Sequence, residues 1–246
     1  MYGAFFWLFL NQITTTMKKY IALLSLFAIT ISCNEYSKTA TGTQDEAEVT
    51  FTPTTEAEKI AYANGIENWD KVTQLDFTFN VDRGGSTVAK RSWSWKPKQN
   101  EVTMTAASDT VTYNRASIDS TSMAADQGFI NDKYWLLAPY QILWDEGTTV
   151  TVNDSVMSPL SRKRSNKLTL LYGDKGGYTP GDAYDFYYGD DYRITEWVFR
   201  KANASEPSMI TTFEGYEDIN GLQIATDHKS EDGSFRLYFT DVKAYN

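Results

Sequence analysis

From Leu75 onward the chain alternates apolar and polar residues, and that period of two constrains its fold more than any other feature. Leu75, Phe77, Phe79 and Val81 are interleaved with Asp76, Thr78, Asn80 and Asp82, and Arg83-Gly84-Gly85-Ser86 supplies a turn. The returning segment carries Ala89, Arg91, Trp93 and Trp95 on one face until Pro97. Val102/Met104 and Val111/Tyr113 mark two further short strands, so the pattern is an antiparallel meander. After residue 145 come Thr148 to Val152, Lys167 to Tyr172, Ala183 to Tyr188, Tyr192 to Lys201, Met209 to Tyr216, Leu222 to His228 and Ser234 to Ala244. Asp174-Lys175-Gly176-Gly177, Gly189-Asp190-Asp191, Asn220-Gly221 and Glu231-Asp232-Gly233 separate several of them. About ten or eleven antiparallel strands must curl or close to manage their edges. The sequence therefore predicts a mainly β domain, a curled antiparallel sheet or unclosed β-barrel, with no internal repeat that would make it a propeller or solenoid.

Two segments depart from this period. Thr54-Thr55 offers an N-cap hydroxyl ahead of Glu56 and Glu58, and Ala57, Ile60, Ala61 and Asn64 recur at helical spacing before Gly65. Between Ser117 and Asp145 a second helical region is expected, with Phe129 to Leu137 as a helical piece ending near Pro139. Its Tyr134-Trp135-Leu136-Leu137 core is apolar nearly all round, so these helices are expected to cover the concave face of the sheet.

The N-terminus reads as an address. Met17-Lys18-Lys19, the apolar run Tyr20 to Ile31 and Ser32-Cys33 form a positive region, a short apolar core and a small residue before a cleavage point. The run is too short for a hydrocarbon core, which needs about 20 residues, so a cleaved leader is expected. Thr30-Ile31-Ser32-Cys33 resembles the bacterial lipobox, with Thr30 where Leu is usual, which makes Cys33 the expected acylated N-terminus. Met1 to Thr16 then form an upstream extension. The expected organisation is residues 1–32 as extension and signal peptide, 33–53 as a lipidated, disordered tether and 54–246 as a half-barrel domain. Within the tether Gln44-Asp45-Glu46-Ala47-Glu48 is faintly like the acidic surface-export signals of Bacteroidetes lipoproteins, though those lie closer to the Cys. The expected location is the outer membrane, on its periplasmic face, with surface export as the alternative.

Charge and rare residues narrow the function. The chain carries 23 basic and 32 acidic residues, a net charge of -9, and loss of residues 1–32 removes only two lysines. With no long polybasic run, nucleic acid is not an expected partner. One Cys and one His leave zinc sites, Cys-His pairs and Ser-His-Asp triads short of parts, so no catalytic residues, no metal and no cofactor are expected.

Phe129-Ile130-Asn131-Asp132-Lys133-Tyr134-Trp135-Leu136-Leu137-Ala138-Pro139 and Gly176-Gly177-Tyr178-Thr179-Pro180-Gly181-Asp182-Ala183-Tyr184-Asp185, with Glu196-Trp197-Val198-Phe199-Arg200 after them, resemble a family of uncharacterised Bacteroidetes lipoproteins over roughly residues 60 to 246. Its members look in fold like the outer-membrane lipoprotein carrier and mycobacterial lipid-binding lipoproteins. The resemblance implies an unclosed barrel plugged by helices and a hydrophobic ligand, and it transfers no functional residues.

The aromatic pairs Trp93/Trp95 and Trp197/Phe199, with Trp135 and Leu136 from the helical segment, are the candidate lining of an apolar ligand pocket; ordinary core is the competing reading. Asp182 and Asp185 fall on opposite faces of a strand, unsuited to acid/base pairing, and Pro180-Gly181 fits a type II turn. Arg162-Lys163-Arg164 reads as a solvated loop, and His228 as a structural or exposed residue. The expected function is a monomeric, membrane-anchored, non-catalytic lipoprotein that binds a lipid or acyl chain; the alternative is an envelope protein that contacts protein or glycan partners without a small-molecule cavity.

Overall fold

The computed structural model describes residues 52–107, 109–175 and 178–246. The leader, Cys33 and nearly all of the tether lie outside these residues. The fold is mainly β and unclosed, as expected, with twelve strands among the described residues arranged in two antiparallel sheets.

The domain opens with α1 (Glu56–Ala63), started by a capping box in which the Thr55 hydroxyl accepts from the Glu58 amide and the Glu58 carboxylate accepts from the Thr55 amide. The Thr54 and Thr55 amides on that exposed carboxylate hold it down at about 2. Ile60 and Ala61 face the core, and Gly65 ends the helix at φ +82.

The seven-stranded sheet follows the order β10-β11-β12-β1-β2-β3-β4. Its members are β1 (Gln74–Arg83), β2 (Ser86–Lys96), β3 (Glu101–Ala106), β4 (Asp109–Asn114), β10 (Glu214–Ile219), β11 (Leu222–Lys229) and β12 (Phe235–Tyr245). The five-stranded sheet runs β5-β6-β7-β8-β9, from β5 (Thr148–Met157) through β6 (Arg164–Tyr172), β7 (Ala183–Tyr188) and β8 (Ile194–Arg200) to β9 (Met209–Thr212). Met209 to Tyr216 is therefore not one strand. It breaks at Phe213, whose amide bonds the Thr195 carbonyl, and the chain passes there from one sheet to the other.

α2 (Met123–Trp144) links β4 to β5 and packs against the inner faces of both sheets. The helix does not end near Pro139. It continues to Trp144 with a break at Leu137 (φ -116, ψ 23), because Pro139 has no N–H to give the Trp135 carbonyl. Nearly every side of α2 is covered, from Phe129 through Leu136, Leu137 and Ala138 to Ile142, which is why its apolar residues do not form a single stripe.

Candidate functional site

The inward faces of both sheets are aromatic, and α2 divides the rings into two groups. On the seven-stranded side Trp93 and Trp95 alternate inward along β2, and Phe129 of α2 packs on both, with ring centroids 5.5 and 5.4 Å away. Trp69, from the 3-10 turn Ile66–Lys71, extends this group with tilted ring contacts to Trp95 at 5.3 Å and Trp144 at 4.9 Å.

On the five-stranded side Trp135 of α2 lies flat on Trp197 of β8, centroids 3.9 Å apart and planes 28° apart. Trp197 also meets Tyr134, Tyr184 and Phe186, and Phe199 stacks on Tyr184 at 5.2 Å. Trp135 thus points inward to Trp197, one of the expected partners, and the Trp93/Trp95 pair is taken by Phe129 instead. Leu136 is 1% exposed, Trp93 and Trp197 2%, and Trp95 and Trp135 8%, whereas Phe199 is half-buried. The five most buried of the six candidate residues belong to one contiguous core, in which α2 parts the Trp93/Trp95 rings from Trp197.

Polar groups are built into this interior. Arg91 stands on the inward face of β2 beside Trp93, and a guanidinium there requires a buried counter-charge. Asp132 of α2 supplies it: Arg91 donates from Nε and Nη2, both at 2.7 Å, and Trp93 Nε1 donates at 2.8 Å to the same carboxylate. Burial pushes the Asp132 carboxyl up, against the pull of Arg91 and the donors. One helical turn and a half earlier, buried Asp126 accepts from Tyr113 at 3.1 Å, Arg115 Nε at 2.9 Å and Tyr178 at 2.8 Å. Lys133 lies over the faces of Trp95 and Trp144 at 5.5 and 6.0 Å, and burial lowers its ammonium to about 8. With the Gln141 amide oxygen turned toward it, that oxygen accepts from Lys133 Nζ at 2.7 Å.

Another set of polar atoms has no partner. Trp197 Nε1, Thr211 Oγ1 and His228 Nε2 are buried without a hydrogen bond. Trp197 and His228 both pack on Trp135 and on Phe213, and Thr211 pairs with Trp197 across β8 and β9. His228 is fully buried, and its other nitrogen, Nδ1, sits 3.2 Å from the Thr212 carbonyl. That contact makes Nδ1 the protonated nitrogen of the neutral ring and leaves a lone pair on Nε2. Burial lowers the imidazole to about 4, so it is neutral at pH 7.

The remaining candidates are structural. Asp182 accepts from the Ala202 amide at 2.7 Å, and Asp185 is held by Arg200 at 3.0 and 3.1 Å and by Thr169 at 2.6 Å, so the two carboxylates do not face each other. Gly181 at φ +76 occupies the third position of the Thr179–Asp182 turn, as the type II reading requires. Arg162 and Arg164 are exposed, bonded to Glu231 and to Ser155. Sequence reasoning missed the Arg91–Asp132 and Arg115–Asp126 contacts. Arg91, placed on the same strand face as two tryptophans, was the signal that a buried acid had to lie opposite.

Among the described residues no group of three or more His, Cys, Asp and Glu could hold a metal, and no helix is long and apolar enough to cross a membrane. Comparison of the chain with protein-family models and with curated proteins finds no match to either.

Proposed function

We propose that the chain is a membrane-anchored envelope lipoprotein, non-catalytic, whose unclosed barrel receives a lipid or acyl chain where Trp135 now lies. The observation that carries this reading is the group of partnerless buried polar atoms behind Trp135. A native interior satisfies nearly all such atoms, and a ligand entering between Trp135 and Trp197 would reach Trp197 Nε1, Thr211 Oγ1 and His228 Nε2. The break at Leu137 lies two residues from Trp135 and gives α2 a point at which to bend. The lipobox-like Ser32-Cys33 supports the anchor, and the motif resemblance to Bacteroidetes lipoproteins supports an outer-membrane location.

Displacement of a fluorescent fatty acid from the purified protein tests this reading. The wild type should bind it, and Trp135→Ala should alter its affinity; absence of binding to the wild type defeats the proposal. A second reading, contact with a protein or glycan partner, is favoured by the close packing of those same interior rings, which directs attention to the outer surface.

A further inference from the structure

The outer face of the seven-stranded sheet carries a lattice of hydroxyl groups. Strand register sets Thr240, Thr78, Ser92, Thr105 and Thr110 in one row across five neighbouring strands. Asp76, Ser94, Thr103 and Thr112 form the next row, with Lys243 opposite Asp76. Strands lie about 4.8 Å apart and the rows about 6.8 Å apart. A groove of about 360 Å³ opens on this face, bordered by Asp76, Asp241 and Lys243 on one flank and by Thr103 and Thr105 on the other.

One flank is shaped by a bulge. The pairing of β1 with β12 slips between Asp76 and Thr78, so that Asp241 and Val242 oppose the single Phe77. Asp241 holds φ +56, a left-handed conformation that such bulges give to glycine. Aspartate tolerates that conformation at some cost relative to glycine, and it adds a carboxylate at the lip of the groove. Asp76 accepts from Gln74 through Oδ1, and Asp241 accepts from Thr240 through Oδ2. The second oxygen of each carboxylate has no partner among the described residues, and neither has the Lys243 ammonium.

Chemistry selects the occupant. β1, β2 and β3 are interior strands whose backbone groups are already paired, so an extended peptide cannot add to them. Phe77 and Trp93 are buried in the core, so the other residues lining the groove are of polar type, while carbon, including threonine methyl and lysine methylene groups, forms the larger part of its surface. Two carboxylates against one ammonium disfavour an anion. Thr78 is hydrogen-bonded to Ser92 at 3.0 Å and Thr103 to Thr112 at 2.9 Å, so each hydroxyl pair keeps one O–H and further lone pairs, which with the flanking carboxylate acceptors complement vicinal hydroxyl groups.

We propose that this groove binds a neutral oligosaccharide. The site is separate from the interior under α2 and does not depend on its function. Calorimetric titration of the full-length protein with gluco-, manno-, galacto- and N-acetylglucosamine tetraoses tests it, with tetragalacturonate as the charged control. At least one neutral tetraose should bind, and tetragalacturonate should bind at least about tenfold more weakly. Asp241→Gly removes the carboxylate and suits the bulge backbone, so it should weaken that binding by at least about tenfold while leaving the melting temperature unchanged or raised. Failure of every neutral tetraose to bind at about 10 mM, or equal binding by wild type and Asp241→Gly, overturns the proposal.

Discussion

Burying the imidazole of His228 makes the folded state sensitive to acid. Unfolding exposes a ring that takes up a proton near 6.5, whereas the folded ring stays neutral until about 4. Between those values the unfolded state binds more protons, so stability falls as the pH is lowered through that window and is fully present above it. Each pKa unit is worth about 1.4 kcal/mol, which puts the loss at roughly 3 kcal/mol. Because this is the only histidine in the chain, urea unfolding at pH 7, 6 and 5 should show the slope in the wild type and a shallower one in His228→Phe. Asp132 offers a second test at the same scale. Asp132→Ala strands the Arg91 guanidinium and the Trp93 indole N–H, and should cost about 3 to 5 kcal/mol in the same assay. Double substitution with Arg91→Met should recover much of that loss, since an uncharged pair leaves nothing unpaired.

Elements were legible wherever local chemistry decides them. The helix start at Thr54-Thr55, the turn at Gly84-Gly85 and the alternation of β1 and β2 lie where the sequence puts them, because hydrogen bonding and side-chain period act within a few residues. Two things were not legible. The extent of α2 past Pro139 depends on burial of Tyr140 and Ile142, and the division at Phe213 depends on a Thr195 carbonyl far away in sequence. The predicted inward direction of Trp135 followed from its apolar surroundings, but its choice of Trp197 over Trp93 needed both sheets in place. Trp135→Ala should cost about 3 to 5 kcal/mol by leaving a void on Trp197. The seat of α1 is as sensitive. A Cβ on Gly65 would stand 2.0 Å from the Gly221 carbonyl oxygen, and its φ of +82 disfavours any other residue. Gly65→Ala should therefore lower stability by well over about 1 kcal/mol, read as a lower urea midpoint.

At the scale of the molecule, mainly β character and an unclosed sheet could be read from strand count and turn spacing, whereas partition into two sheets could not, since it rests on long-range pairings that local pattern does not encode. The described residues belong to one compact unit, Thr50–Asn246, and a protein beginning at Thr54 should unfold with the same midpoint as the full chain. An aggregated or molten product would contradict that boundary. Metabolic labelling with a fatty-acid analogue should mark the wild type and not Cys33→Ala. The order of the seven-stranded sheet has a consequence in time. β12 lies between β1 and β11, with Gln74 opposite Tyr245, so β1 waits for a strand far along the chain. A chain synthesised N-terminus first can assemble β5 to β9 from neighbouring segments early. Its larger sheet stays split into two fragments, β1 to β4 and β10 with β11, until β12 is made and joins them.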